Sequence, residues 1–327
     1  MSAVTFDLRG IESDNLLAIL SLVGLARLLE CSHPEWGTQI SWSGPPWFPR
    51  LHIDANISQE TLLRAIPESF QLVAPSFAFD AQNIKEITAE DYRVYEETTR
   101  KDANSAEAKL RFELLAALGT NSRLPKNLLT PLEPSPLCAI HGQGHQDFLR
   151  YLREIAAFCT DPANAQTVTD DLRAMLFSPW NYERAKTISD VCRYSFRWDP
   201  RDDRRHAYQF YDPTDAREGT WIVRGTAYLA IVGFSQFPTV PRGRGGNTLG
   251  FSRGVGGART LSWPIWRGSV SLRVLRRLLA HQLLDTNSKV KRGDLDRLGI
   301  IEVMRIERIN NGKFLNFTRA KPTLGAV

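Results

Sequence analysis

Between Thr239 and Thr260 the chain places four arginines, Arg242, Arg244, Arg253 and Arg259, among seven glycines and no acidic residue. Guanidinium groups are planar donor forks that match phosphate oxygens and the edge of guanine. Glycine lets the backbone turn through conformations other residues avoid and come close to a ligand. Asn247, in the same stretch, carries an amide suited to a base edge. The pattern predicts a flexible cationic loop that contacts nucleic acid. Phe251, Trp263 and Trp266 could stack on bases, although the core is the more natural place for the tryptophans. Downstream, a helix predicted over Leu272–Leu284 sets Arg273, Arg276 and Arg277 on one side. Lys289, Lys291 and Arg292 extend the track. Several phosphate contacts of this kind give an affinity that falls steeply with salt.

Charge is distributed to match. Of 41 Lys+Arg and 36 Asp+Glu, the stretch from Thr239 to Val327 holds 17 and 5, leaving 24 and 31 for the rest. The basic third, at +12, attracts a polyanion, and the remainder, at −7, repels one or faces basic protein partners. A solvated basic face is the simpler reading of such a segment; the glycine–arginine pairing moves the balance toward nucleic acid.

Two further clusters could do chemistry. His141 and His145 stand four apart and could share a metal on one helical face, but the glycines between them oppose a helix and no third ligand is near. Gly142–Gly144 reads more simply as a tight approach to a helix starting near His145, whose first amides could hold a phosphate or just pack. Asp199, Asp202, Asp203 and His206 suggest a metal-dependent nuclease. The alternating acid and base of Asp199–Arg205 more simply makes a salt-bridged turn. No GxSxG elbow, GxxxxGK[ST] loop or HExxH helix is present, so no catalytic residue, metal or cofactor is expected. The four cysteines, Cys31, Cys138, Cys159 and Cys192, form no CxxC pair and suit a reducing compartment. The start lacks a basic leader, and the apolar run Leu16–Leu29, broken by Arg27, is short for a bilayer, so a soluble cytoplasmic protein is expected.

The elements that must position these residues read as mixed α+β, with short strands, hairpins and interspersed helices in one or two lobes. A strand at Ala3–Leu8 precedes a core helix Asn15–Glu30 capped by Ser13 or Asp14. Strands Gln39–Trp42 and Trp47–Ile53 flank a turn. A helix Ser58–Ile66 ends at Pro67, and helices follow at Thr88–Thr99 and Ser105–Leu118, the last stopped by a left-handed Gly119. The proline-rich connector Leu124 to Pro136 divides an N-terminal α+β lobe, 1–130, from a C-terminal one, 131–327, that carries the basic loop. Beyond it lie helices His145–Phe158 and Val168–Phe177, paired strands Cys192–Trp198 and Ala207–Tyr211, and an apolar helix Arg224–Phe234. A strand Ala258–Trp266 and a hairpin of Ile300–Ile309 with Lys313–Thr318 complete the reading.

Several segments together resemble one family. These are the opening Gly10-Ile-Glu-Ser-Asp-Asn-Leu-Leu-Ala-Ile-Leu-Ser-Leu-Val-Gly-Leu-Ala-Arg-Leu-Leu29, Gly142-Gln-Gly-His-Gln-Asp-Phe-Leu149, Phe196-Arg-Trp-Asp-Pro-Arg-Asp-Asp-Arg-Arg205, Leu229-Ala-Ile-Val-Gly-Phe-Ser-Gln-Phe-Pro238 and Leu261-Ser-Trp-Pro-Ile-Trp266. In order along the chain they resemble large-subunit-like proteins of type I CRISPR effector (Cascade) complexes, in the I-G (formerly I-U) group. The resemblance implies an antiviral-defence role as a non-catalytic subunit of an RNA-guided complex. Such a subunit helps hold the guide RNA end, contacts target double-stranded DNA and other effector subunits, reads the motif flanking the target, and recruits a separate helicase–nuclease. It transfers no individual residue: Arg242, Arg244, Asn247, Arg253 and Arg259 are chosen on their chemistry. The readings that compete with it are the Asp199–His206 nuclease and a protein-interaction scaffold.

Overall fold

The computed structural model describes residues 3–101, 104–121, 131–140, 147–184, 191, 194, 196–202, 221–242, 245–253, 257, 259–285, 291–311 and 314–323. Its architecture is α+β, with helices packed among several small antiparallel sheets. No helix among the described residues is long and apolar enough to cross a membrane.

The helix Leu16–Ser32 is apolar on every side, so it can lie only in the middle of the protein. Burial runs without a break from Ala18 to Leu29. Its cap is Asn15, one residue later than expected, whose side-chain oxygen accepts the Leu17 amide at 2.9 Å. It crosses the equally apolar helix Thr226–Phe234 at two glycines. A Cβ on Gly24 would lie 2.8 Å from the Gly233 nitrogen and nearer still to the Leu229 carbonyl oxygen. A Cβ on Gly233 would lie 2.9 Å from the Gly24 nitrogen. The two backbones therefore touch, and Ser21 Oγ donates across the seam to the Thr226 carbonyl at 3.0 Å.

A four-stranded sheet in the order Val4–Asp7, Phe48–Ile53, Gln39–Ser43, Val270–Ser271 covers part of this core. A second sheet runs Phe251–Arg253, Arg259–Trp266, Ile300–Asn311, with Phe314–Phe317 and Lys321–Pro322 both paired to the long strand Ile300–Asn311. One hydrophobic cluster gathers buried side chains from Phe6 to Ala320. Both tryptophans of the strand Arg259–Trp266 belong to it. The Trp263 indole donates to the Ser13 carbonyl and the Trp266 indole to the Ile40 carbonyl, each at 3.0 Å, so the core is where they go.

Several local expectations change. Pro67 does not end its helix, which runs Gln59–Val73; burial of Ser69, Phe70 and Val73 beyond it offsets the lost backbone bond. Gly119 is extended, with φ 164°, and opens a strand paired with Glu133–Pro134 rather than a left-handed stop. The helix from Leu272 ends at Leu279 and is followed by a 3-10 turn, Gln282–Leu284. Pro200–Asp202 is likewise a 3-10 turn, after Phe196 and Trp198 have entered an aromatic cluster with Phe148 and Phe234. The expected strand Ala207–Tyr211, His141, His145, Asp203 and His206 lie outside the described residues.

Candidate nucleic-acid interface

Where it is described, the glycine–arginine stretch from Thr239 to Arg253 is built of strands. Thr239–Arg242 pairs with Gly245–Thr248, setting Val240 opposite Asn247 and Arg242 opposite Gly245. The Thr239 and Thr248 hydroxyls share a hydrogen bond of 2.8 Å at the base of this hairpin. The chain then turns at Gly250, whose φ of 75° suits a residue without Cβ. Phe251–Arg253 next forms the edge strand of the five-stranded sheet, and Ser252 Oγ meets Thr260 Oγ1 at 3.0 Å. Glycine here narrows the backbone: a Cβ on Gly246 would strike the methyls of Thr239 and Thr120.

Register does what sequence spacing could not. Arg253 stands opposite Arg259, and Arg259 stands opposite Arg308 on the next strand. Directly opposed residues of antiparallel strands share a face, so three arginines form one rung across three strands. Like charges placed this way repel. The rung lies at the end of the core-facing side, since Leu261 and Ile306, the pair two residues further in, are fully buried. Exposure falls along it: Arg253 is exposed, Arg259 and Arg308 half-buried. Burial, and then the facing Arg259 guanidinium, press the Arg308 pKa down to about 10. Its Nε has no hydrogen-bond partner among the described residues. Arg308 was not among the residues singled out from sequence.

Above the rung opens a cleft of about 660 Å³, with Arg242, Arg253 and Arg259 among its walls, together with Asn247, Gly245 and Gly246. Among the described residues of its lining, three arginines face two carboxylates, Glu133 and Asp285. A second cleft of about 500 Å³ adjoins it and shares Arg242, Asn247, Phe251, Ser252 and Asp285. Phe251 is propped from behind by the buried Phe317, ring centroids 6.5 Å apart.

Other expected contacts stand elsewhere. Arg244 and Lys289 lie outside the described residues. Arg276 is turned inward: its guanidinium donates to Gln236 Oε1, at 2.6 Å from Nε, and to Glu113 Oε1 at 2.8 Å. Glu113 also accepts from Arg27 at 2.7 Å, so Arg276 ties its helix to the core. Arg273 and Arg277 are exposed on the same helix. Lys291 and Arg292 are exposed, Arg292 donating to the Ile301 carbonyl at 2.6 Å. None of these four is among the described lining of either cleft.

Asp199, the described anchor of the nuclease reading, is held by protein groups. It accepts from Tyr182 Oη at 2.8 Å, from the Arg201 amide at 2.9 Å and from Asn15 Nδ2 at 3.5 Å. Burial raises its pKa. Among the described residues no group of three or more His, Cys, Asp or Glu is placed to hold a metal. No protein-family model, curated protein or solved structure matches the chain.

Proposed function

We propose that this chain is a non-catalytic nucleic-acid-binding subunit of a cytoplasmic, RNA-guided type I CRISPR surveillance complex. On this reading the cleft lined by Arg242, Arg253 and Arg259 takes a phosphodiester backbone, with Arg308 completing the rung beneath. Asn247 presents an amide to the bases. The partners are guide RNA, target double-stranded DNA, other effector subunits and a helicase–nuclease acting in trans. The observation that carries the binding part is the rung of facing arginines, Arg253, Arg259 and Arg308. Opposed guanidinium groups repel across a sheet, and Arg308 Nε at the end of the rung has no hydrogen-bond partner among the described residues; a phosphate backbone supplies anions at regular spacing. The complex itself rests on the resemblance of the five segments from Gly10 to Trp266.

The test is co-expression with type I effector subunits and a guide. The chain should remain in the complex through size exclusion. Alanine at Arg242, Arg253 and Arg259 together should leave assembly intact and weaken target binding. A chain that elutes alone, or a triple variant that binds target as the wild type does, contradicts the proposal.

A further inference from the structure

The two adjoining clefts differ in chemistry. The first is walled by Arg242, Arg253 and Arg259. In the second, Arg253 and Arg259 are replaced by Val240, Leu249, Leu279 and Leu284, with polar groups from His281 and Gln282. Phe251 and Asn247 line both and stand where one gives way to the other. Val240 is 51% exposed, so its side chain is open to a flat apolar ligand in this cleft. His281 Nδ1 accepts the Leu283 amide at 3.3 Å, which leaves the ring proton on Nε2 as a donor. At about 500 Å³ the second cleft falls in the size range of small-molecule sites, roughly 300–1,000 Å³.

We infer that the ligand is held as a single strand, its phosphates in the arginine cleft and one unpaired base in the Val240–Leu279 cleft, stacked against Phe251. The inference rests on the nucleic-acid reading above and narrows it. A duplex keeps its bases paired and stacked inside a convex cylinder and offers only phosphates and groove edges to a wall. An unpaired strand can turn a base into a concave site, where an aromatic face holds it whatever its identity. The amide of Asn247 and the Nε2 donor of His281 meet the base edge.

The test is fluorescence anisotropy of the full chain with three 12-nucleotide probes of one sequence: single-stranded RNA, single-stranded DNA and the DNA duplex. Each is titrated at several salt concentrations. At least one single strand should bind about tenfold tighter than the duplex, and the RNA and DNA arms show which strand is preferred. Phe251→Leu keeps the apolar packing on Phe317 and loses the aromatic face. It should weaken single-strand binding about tenfold, within the range for one stacked base, and leave the salt slope unchanged. Phe251→Leu should melt with the wild type, and Asn247→Ala gives a second, surface-level probe. Duplex binding as tight as single-strand binding, or Phe251→Leu and Asn247→Ala both without effect, overturns the inference while salt-dependent binding keeps the broader reading alive. Weak, salt-insensitive binding of all three probes overturns both.

Discussion

Replacing Arg308 by methionine should make the protein more stable and a poorer ligand binder, a combination that a structural arginine would not give. Methionine keeps the unbranched stem and removes the charge. In the folded protein, burial and Arg259 lower the Arg308 pKa from the ordinary guanidinium value to about 10. At about 1.4 kcal/mol per pH unit, that corresponds to a penalty of up to about 3 kcal/mol on the charged form. Arg308 is half-buried rather than sealed, so water reduces this to roughly 1–2 kcal/mol. The folded pKa lies below the unfolded one, so the penalty is fully present at every pH below about 10 and fades only as pH rises from there toward the ordinary guanidinium value. A chain of this length gains about 1.5 °C in Tm per kcal/mol, so the variant should melt about 2–3 °C higher at pH 7.5. Its affinity for the tightest probe should fall about tenfold, the cost of one charge-assisted hydrogen bond. Differential scanning fluorimetry and anisotropy on one preparation read both effects. A lower Tm with unchanged affinity would refute the reasoning, because Arg308 would then be held by protein partners.

Gly24→Ala gives a second reversal of sign. In an exposed helix, alanine for glycine stabilises by about 1 kcal/mol, but here the new Cβ meets the backbone of the crossing helix at Leu229 and Gly233. A loss of about 3 kcal/mol or more is expected in denaturant unfolding, and a gain would contradict the close crossing. Asp199→Asn tests the buried carboxylate. Because burial raises its folded pKa, the native state holds that proton more tightly than the unfolded chain, and the wild type loses stability as pH rises above about 4. The Tm difference between Asp199→Asn and wild type should therefore grow in the variant's favour from pH 4 to 7. A difference constant across that range would show that the carboxylate carries no such burden.

The sequence made the all-round apolar helix Leu16–Ser32 legible, because no surface can accept such a segment. The strands Gln39–Ser43 and Phe48–Ile53 were legible from the turn between them, and the long strand Ile300–Asn311 from its alternation. Composition also disclosed the basic third. Pro67 misled because its local cost is visible in the sequence while the tertiary burial that offsets it is not. The stretch from Thr239 looked like a loop because glycines are poor strand formers; the hairpin that pairs Thr239 with Thr248 is steadied by the packing of Gly246 against Thr120, which is nonlocal. Arg276 looked like a member of an exposed stripe because its partner Glu113 is 163 residues away. Arg308 was missed for the same reason: only strand register brings it beside Arg259. One sign of it was present, an arginine within the alternating run Ile300–Ile309 at a position whose same-face neighbours, Ile306 and Met304, are apolar.

The most direct measurement is the dependence of nucleic-acid affinity on salt for the wild type and for the Arg242→Ala, Arg253→Ala, Arg259→Ala triple variant. Each phosphate contact contributes about 0.7–0.9 to the slope of log affinity against log salt. The triple variant should therefore lose about two from that slope, so that between 50 and 200 mM salt its affinity falls about twentyfold less than that of the wild type. Equal slopes for the two proteins, or a wild type whose binding ignores salt, would contradict a phosphate backbone in this cleft.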